Sequence, residues 1–458
     1  MKQTMENPSK VISTLKRKFN ESKDFIIHEF QYYENGIVLV YLQSMCDEEK
    51  IKKEIIQPLM MCDEESRFVL HLLSLPGSVK ITDQESIESK LLRGYTIIFI
   101  SGSVYALSGV KTVNIEPLET MVETSVQGPQ KGLSEDIYTN ITMIRNRYPS
   151  TDLMVEHHTA GTLSKTPVAL MYDVSYVQED VLNQLKNSLA EIDMDMIQSA
   201  GQLQNALTKK RYRLFPTIMI TERPDRLALC LAQGKVIVLV NGTPFGLVLP
   251  SVFFDFISAM DDLSHSYWVA QLMIILRYIG LIITLVLPAL YVAITSYNPE
   301  ILRSQLALTI AGSREAVPYP SFFEVIFMML VVEMLVESSI RLPKAIGPTA
   351  TTVGGLILGQ AAQQAQLVSS IMIIITAFVA ISNFTIPIHA MSFAIRVARY
   401  PLILFASLFG FVGLIAGCVI YLCYLTDLRS FGKPYLAIYG GSSKHIMKIT
   451  GSKKEDSR

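Results

Sequence analysis

EMLVESSIRLPKAIGPTATTVGGLILGQAAQQAQ, residues 333 to 366, is the stretch whose reading decides the architecture of the chain. Glu333 and Glu337 stand four apart on an apolar helical pattern and so share one face, and Arg341 follows on the same face. Beyond Pro343 the sequence turns to Gly, Ala, Thr and Gln inside a greasy region, and no Lys, Arg, Asp or Glu occurs from Ala345 to Ile395. A charge at the centre of a bilayer costs about 3 kcal/mol on insertion scales, so intramembrane carboxylates face protein or water. Small residues let helix backbones approach, and amides offer hydrogen bonds that lipid cannot return. Together these features describe the inner wall of a multi-helix membrane assembly.

Working outward, the chain of 458 residues is too long for one core, and two or more domains are expected. Its mean hydropathy of +0.34 is high, with the apolar residues concentrated after Val269. A formal net charge of −1 leaves no broad basic surface for nucleic acid. Five scattered cysteines form neither a disulfide framework nor a zinc spacing, which suits a reducing compartment. The polar opening MKQTMENPSKVISTLKRKFNES lacks the apolar core of a signal peptide, so the N-terminal half is expected to be cytoplasmic.

The expected fold is an α/β N-terminal region of two subdomains, 1–128 and 129–265, then an all-α polytopic membrane domain, 266–427, and a basic, mobile tail, 428–458. Ile37–Leu42 and Tyr95–Ile100 read as buried strands, with helices over Asp47–Met60 and Asp83–Leu92 behind Asp caps. The break Gln127–Gly132 divides the subdomains. The second is predicted to carry strands at Val168–Tyr172, Thr217–Thr221, Ala228–Leu231 and Val236–Val240, and helices at Ser134–Arg147, Gln178–Glu191 and Asp195–Leu207. Membrane segments are expected at Leu272–Thr295, kinked at Pro288, and at Phe322–Ile340, Thr349–Leu367, Ser370–Phe393 and Leu402–Leu425. Five full spans from a cytoplasmic start would leave the basic tail outside. The positive-inside rule wants it inside, so Thr349–Leu367 is expected to be re-entrant or enclosed by protein.

Each candidate for chemistry has a plainer reading beside it. Glu333, Glu337 and Arg341 could tune a cation path or simply lock helices together, and Glu324 reads as an interface marker. Gly355-Leu-Ile-Leu-Gly359 is a close-packing pattern first. Thr351, Thr352, Gln360, Gln363 and Gln364 call for a pore or a polar interface, because unpaired amides facing lipid are costly. Val353 could form a hydrophobic constriction. Met45-Cys-Asp-Glu-Glu49 recurs at Met61–Glu65, where Asp47 and Asp63 read as helix caps rather than metal ligands. His157-His158 reads as exposed strand or loop. No nucleotide-binding, hydrolase or metalloprotease motif is present, so no enzyme, cofactor or metal is expected.

The chain resembles the A subunit of the GerA-type spore germinant receptors of endospore-forming bacteria over nearly its whole length. The resemblance rests on Thr124-Ser-Val-Gln-Gly-Pro129, Glu135, Asn140, Arg145, Thr221-Glu-Arg-Pro-Asp225 and Asn241-Gly-Thr-Pro244 in the first half. In the second it rests on Asn298-Pro-Glu300, Arg314 with Pro318, Glu333, Arg341-Leu-Pro343 and Gly354-Gly-Leu-Ile-Leu-Gly-Gln-Ala361. Gln127 departs from the family's usual Arg, Ser338-Ser339 from its Ala-Gly, and the tail beyond Tyr435 lacks the expected basic, Pro-containing ending.

The resemblance implies a multi-pass subunit of a nutrient receptor in the spore inner membrane. It would act with a transporter-like B subunit, a lipoprotein C subunit and membrane lipid, and would oligomerise into a germinant-gated cation channel. On that reading Thr351, Val353, Gly355, Gly359, Gln360 and Gln363 form the pore or its packing, and Glu333, Glu337 and Arg341 tune it. The alternatives are a secondary transporter of the germinant, a scaffold for the B and C subunits, or the related stage V sporulation AF-type protein.

Overall fold

A computed structural model describes residues 8–19, 22, 24–31, 36–62, 64–81, 84–109, 120, 123, 128–208, 213–342 and 347–437. They form two compact units, one of the residues before 212 with Ile218–Pro250, the other of Tyr212–Thr217 with Ser251–Tyr439.

The apolar runs of the first unit are strands because both faces of their sheets are covered. The first sheet contains β1 (Phe25–Phe30), β2 (Ile37–Leu42), β3 (Val79–Ile81), β4 (Tyr95–Ile100) and β5 (Ser103–Ser108), in the order β1-β2-β4-β5-β3. Val40, Leu42, Ile97 and Phe99 pack on one side and Leu39, Tyr41, Ile98 and Ile100 on the other, which is why β2 and β4 read as unbroken apolar strings. The second sheet contains β6 (Leu153–Ala160), β7 (Thr166–Asp173), β8 (Met219–Thr221), β9 (Val236–Val240) and β10 (Gly246–Leu249), in the order β6-β7-β9-β10-β8. All these pairings are antiparallel.

The two orders are the same, and the helices repeat with them. Pro8–Lys18 precedes β1 as Ile137–Arg147 precedes β6. Helical segments 48–61 and Glu65–Ser74 join β2 to β3, as Glu179–Ala190 and Ala200–Leu207 join β7 to β8. Gln84–Leu91 joins β3 to β4 as Pro224–Ala232 joins β8 to β9. The two α/β subdomains are therefore one topology used twice. A buried ion pair ties them, Arg145 Nη2 to Asp24 Oδ2 at 2.8 Å, and Asp24 also accepts from the Ser44 backbone and hydroxyl at 2.8 Å each.

Three expectations in this unit and its neighbour are corrected. Ala228–Leu231 is not a strand but part of the helix Pro224–Ala232. Pro224 starts that helix at a position where no N–H is needed, and Leu227, Cys230 and Leu231 make its buried stripe. The helix expected from Asp195 begins only at Ala200, capped by the Ser199 hydroxyl, while Asp195 accepts from the Thr162 hydroxyl instead. Residues 428–435 are not a loose tail, because Arg429–Ser430 and Lys433–Pro434 pair as a small hairpin and Tyr435 is buried. Residues 438–458 lie outside the described residues.

The second unit holds α1 (Tyr267–Ser296), α2 (Ser304–Arg314), α3 (Ser321–Arg341), α4 (Gly347–Gln364), α5 (Ser370–Phe384) and α6 (His389–Asp427). Among the described residues α1 and α6 are long and apolar enough to cross a membrane, with mean hydropathies of 2.3 and 2.5. Pro288 lies inside α1, where the carbonyl of Thr284 loses its helical N–H partner. Arg277 forks onto Asp262 and donates to the Ile257 carbonyl at 3.2 Å, fixing the start of α1 to the turns before it. Tyr267 and Trp268 are exposed at that start, where aromatic residues favour a membrane–water boundary.

The expected spans Ser370–Phe393 and Leu402–Leu425 are both redrawn. α5 stops at Phe384 because Pro387 biases the residue before it away from the helical region, and α6 begins afresh at His389. α6 is itself two helices, since Gly410 (φ 60°, ψ −140°) breaks it. The Tyr421 hydroxyl donates to the Ala398 carbonyl at 2.7 Å, and Leu402 fills the space beside Gly417. Residues 23 positions apart in a straight helix would lie about 35 Å apart, so the arms 389–409 and 411–427 run antiparallel. The second arm then returns the chain to the end of the unit where it began. There Ser251 N donates to Ser430 Oγ at 3.1 Å, Ser430 Oγ to Thr217 O at 2.6 Å, and Phe253 N to Tyr435 O at 2.9 Å.

The Gly410 turn is a place where only glycine fits. Its backbone angles are forbidden to L side chains, and a Cβ there would overlap the Tyr297 side chain. Gly410→Ala is expected to destabilise the helical hairpin by about 2–4 kcal/mol, from backbone strain plus the overlap. Thermal unfolding in detergent reads this, and an unchanged midpoint would refute the turn.

Candidate functional site

α4 carries the residues that the sequence singles out. It packs on α3 through Leu335, which meets Gly354 and Gly355, so Gly355 is a packing glycine. A Cβ added at Gly359 would meet no atom of another element within 4 Å among the described residues. Val353, Leu356, Ile357 and Gln360 lie at i, i+3, i+4 and i+7 on one helical face, and all four are exposed, Val353 at 49%. Gln363 donates to the Ser370 hydroxyl at 3.1 Å, while the Thr351 side chain lies outside the described residues, as does Pro343. Within one chain α4 is a wall with one side covered and the amide-bearing side open.

The charges beside this wall pair in two ways. Glu337 and Arg341 form an i,i+4 pair within α3, at 2.6 Å, and both are exposed. Glu333 turns to the first arm of α6, where Arg396 and Arg399 both bind its carboxylate. Arg399 is 1% exposed and lies on the Tyr400 ring, and Arg396 lies on the Phe393 ring. Two guanidinium groups on one carboxylate leave the cluster with one net positive charge in an apolar bundle. Arg396 and Arg399 follow directly on the charge-free stretch ending at Ile395. Their spacing of three along an apolar pattern was the available signal that they serve one acceptor.

Glu324 is the second centre, and its part exceeds that of an interface marker. It is 1% exposed. Its Oε1 accepts from Ser369 N at 2.6 Å and Ser369 Oγ at 2.5 Å, and its Oε2 from Tyr291 OH at 3.2 Å, with Arg314 Nε at 3.4 Å. Ser369 is also the N-cap of α5, donating to Glu324 while accepting from Met372 N at 3.2 Å. A carboxylate therefore sits at the positive end of α5 and joins α1, α2, α3 and α5. Together Glu324 and Glu333 pin α3, and through α3 they hold α4.

The other motif residues are structural here. Asn298 Oδ1 accepts from Phe411 N at 3.5 Å and its amide donates to Glu300 at 3.0 Å, bracing the Gly410 turn. In the first unit Arg223 forks onto Asp225 and reaches the Glu123 carbonyl at 3.2 Å, and Arg226 meets Glu123 Oε2 at 3.0 Å. Burial raises the Glu123 pKa against the lowering by Arg226. Asn241 accepts from Ile137 N at 3.2 Å and Gly242 N donates to Glu135 O at 2.8 Å, seating the helix that carries Arg145. Asp47 caps its helix by accepting from Glu49 N and Lys50 N, and Asp63 lies outside the described residues. His157 and His158 fall on β6. Among the described residues no group of three or more His, Cys, Asp or Glu side chains could hold a metal ion.

A doubled α/β unit is followed by a helical unit that carries two helices long and apolar enough to cross a membrane and places carboxylate–arginine centres inside an apolar bundle. The chain belongs to the family described as Bacillus/Clostridium GerA spore germination protein, whose model matches residues 13–450. It is 35% identical to spore germination protein KA of Bacillus subtilis over 442 residues, covering 94% of this chain and 81% of that protein. It is 33% identical to spore germination protein A1 of the same organism, covering 92% and 89%. It is also 30% identical to the uncharacterized membrane protein YfkQ of Bacillus subtilis, covering 90% and 82%. Among solved structures it is similar to the N-terminal domain of the A subunit of the Bacillus megaterium spore germinant receptor GerK3. That likeness has a TM-score of 0.42 and 25% identity, over 55% of this chain and 98% of that one.

Proposed function

We propose that this chain is the A subunit of a nutrient germinant receptor, several copies of which enclose a germinant-gated cation path lined by the open face of α4. The observation that carries the reading is that face. Val353, Leu356 and Gln360 are exposed on a helix whose other side packs on α3. Gln360 and Gln364 are exposed on the same helix, and amides exposed to lipid are unfavourable, whereas beside a wet lumen they are hydrated. Family membership supports the receptor role, and the return of the chain to its starting end supports an even number of crossings. With the α/β unit and the C-terminal end both cytoplasmic, the positive-inside rule is then met. The protein would be a non-enzymatic, multi-pass component of the spore inner membrane, assembled with a transporter-like B subunit and a lipoprotein C subunit.

Potassium release from vesicles holding the chain with its partners tests this, before and after a panel of germinants. Val353→Ala or Val353→Lys is expected to raise germinant-independent efflux at least about tenfold, because a smaller or charged side chain wets a hydrophobic constriction. Variants that assemble normally and stay silent would overturn the pore assignment. Saturable germinant uptake without efflux would favour a transporter instead.

A further inference from the structure

Where α1 ends and α2 returns towards α3, the second unit contains a cavity of about 320 Å³. It is lined by apolar Ile294, Leu302 and Ile310, by Thr295, and by two adjacent opposite charges, Arg314 and Glu315. Arg314 spends one donor on the Tyr319 carbonyl at 3.3 Å and holds Glu324 at 3.4 Å, and its side chain is 19% exposed. Glu315 is exposed. The surroundings identify the solvent at the mouth. Residues 304–313 contain no charge, and Ile301, Leu306 and Leu308 are more than half exposed. Because α2 joins the end of one apolar helix, α1, to the start of the next, α3, its exposed Leu and Ile lie at the membrane–water boundary on the proposed reading.

We propose that this cavity is a phospholipid headgroup site selective for a zwitterion with a primary ammonium, as in phosphatidylethanolamine. The phosphate pairs with Arg314, the ammonium donates to Glu315, and the glycerol end leaves along Ile294, Leu302 and Ile310. A lone phosphate suits the site poorly, since it leaves the Glu315 carboxylate beside it without a cation. A quaternary ammonium has no N–H to give Glu315, and a glycerol headgroup has no cation.

The test uses the purified, delipidated full chain in detergent with three short-chain lipids: dihexanoyl phosphatidylethanolamine, phosphatidylcholine and phosphatidylglycerol. The ethanolamine lipid is expected to bind about tenfold more tightly than either other lipid, the size of one charge-assisted hydrogen bond. Glu315→Gln should erase that preference, and Ala311→Phe, on the exposed face of α2, should fill the cavity and weaken binding of the ethanolamine lipid about tenfold. Equal binding of the three lipids would overturn the proposal, as would insensitivity to both variants. So would free phosphoethanolamine or a free α-amino acid binding as tightly as the lipid, because the site would then take a soluble zwitterion.

Discussion

Glu333→Ala is expected to lower the stability of the helical unit by about 3–5 kcal/mol, the cost of leaving buried charge without its partner. The carboxylate is shared by Arg396 and Arg399, and Arg399 is already 1% exposed with its Nε lacking a hydrogen bond. Removing Glu333 leaves two guanidinium groups in an apolar bundle with no counter-charge. For a unit of this size that corresponds to a fall of roughly 10 °C in the unfolding midpoint in detergent. The converse variant separates charge from shape. Replacing Glu333, Arg396 and Arg399 together by Leu removes the desolvation penalty along with the pairs and is expected to recover most of the midpoint. A single variant of wild-type stability, or a triple variant no better than the single, would show that the cluster is hydrated rather than buried. A triple variant that is stable yet silent to germinant would show that the charges act in gating as well as in folding.

The sequence made β2, β4 and β9 legible to the residue, since apolar runs closed by polar residues have few other solutions in an α/β protein. It hid the duplication, because two copies of one topology need share only periodicity, and β3 and β8 are three residues long. Ala228–Leu231 misled because a four-residue apolar run fits a strand as well as the buried stripe of a short helix. Hydropathy alone could not show the Gly410 reversal, since both arms of α6 are apolar and the turn is a single residue. In the site, the glutamines of α4 stood out in the sequence because amides are unusual in an apolar stretch. The partners of Glu333 were not, because pairs at i,i+4 are visible in a sequence while pairs 63 and 66 residues apart are not. Glu324 was underrated for the same reason, its partners lying on α1, on α2 and at the start of α5.

Glu324 should give the most graded series. Its two oxygens accept from Ser369 N, Ser369 Oγ and Tyr291 OH and face Arg314, so the site offers donors only. Gln can place its one oxygen towards Ser369 and keep two of these bonds, but its amide nitrogen then meets Arg314 with no charge to pair. Glu324→Gln is therefore expected to cost about 1–2 kcal/mol, and Glu324→Ala, which also orphans Ser369 N at the start of α5, about 3–5 kcal/mol. The milder variant is the informative one for function. Glu324 and Glu333 are the two charged residues that pin α3 to other helices among the described residues, and α4 rides on α3 through Leu335. Weakening one pin while the other holds should leave the fold intact and let the α3–α4 pair shift, so Glu324→Gln is expected to raise germinant-independent potassium release. If Gln destabilises as much as Ala, the carboxylate is serving the fold alone. If Gln is stable and efflux stays at the wild-type level, α3 is not the lever that moves the wall, and the gate must lie in the face of α4 itself.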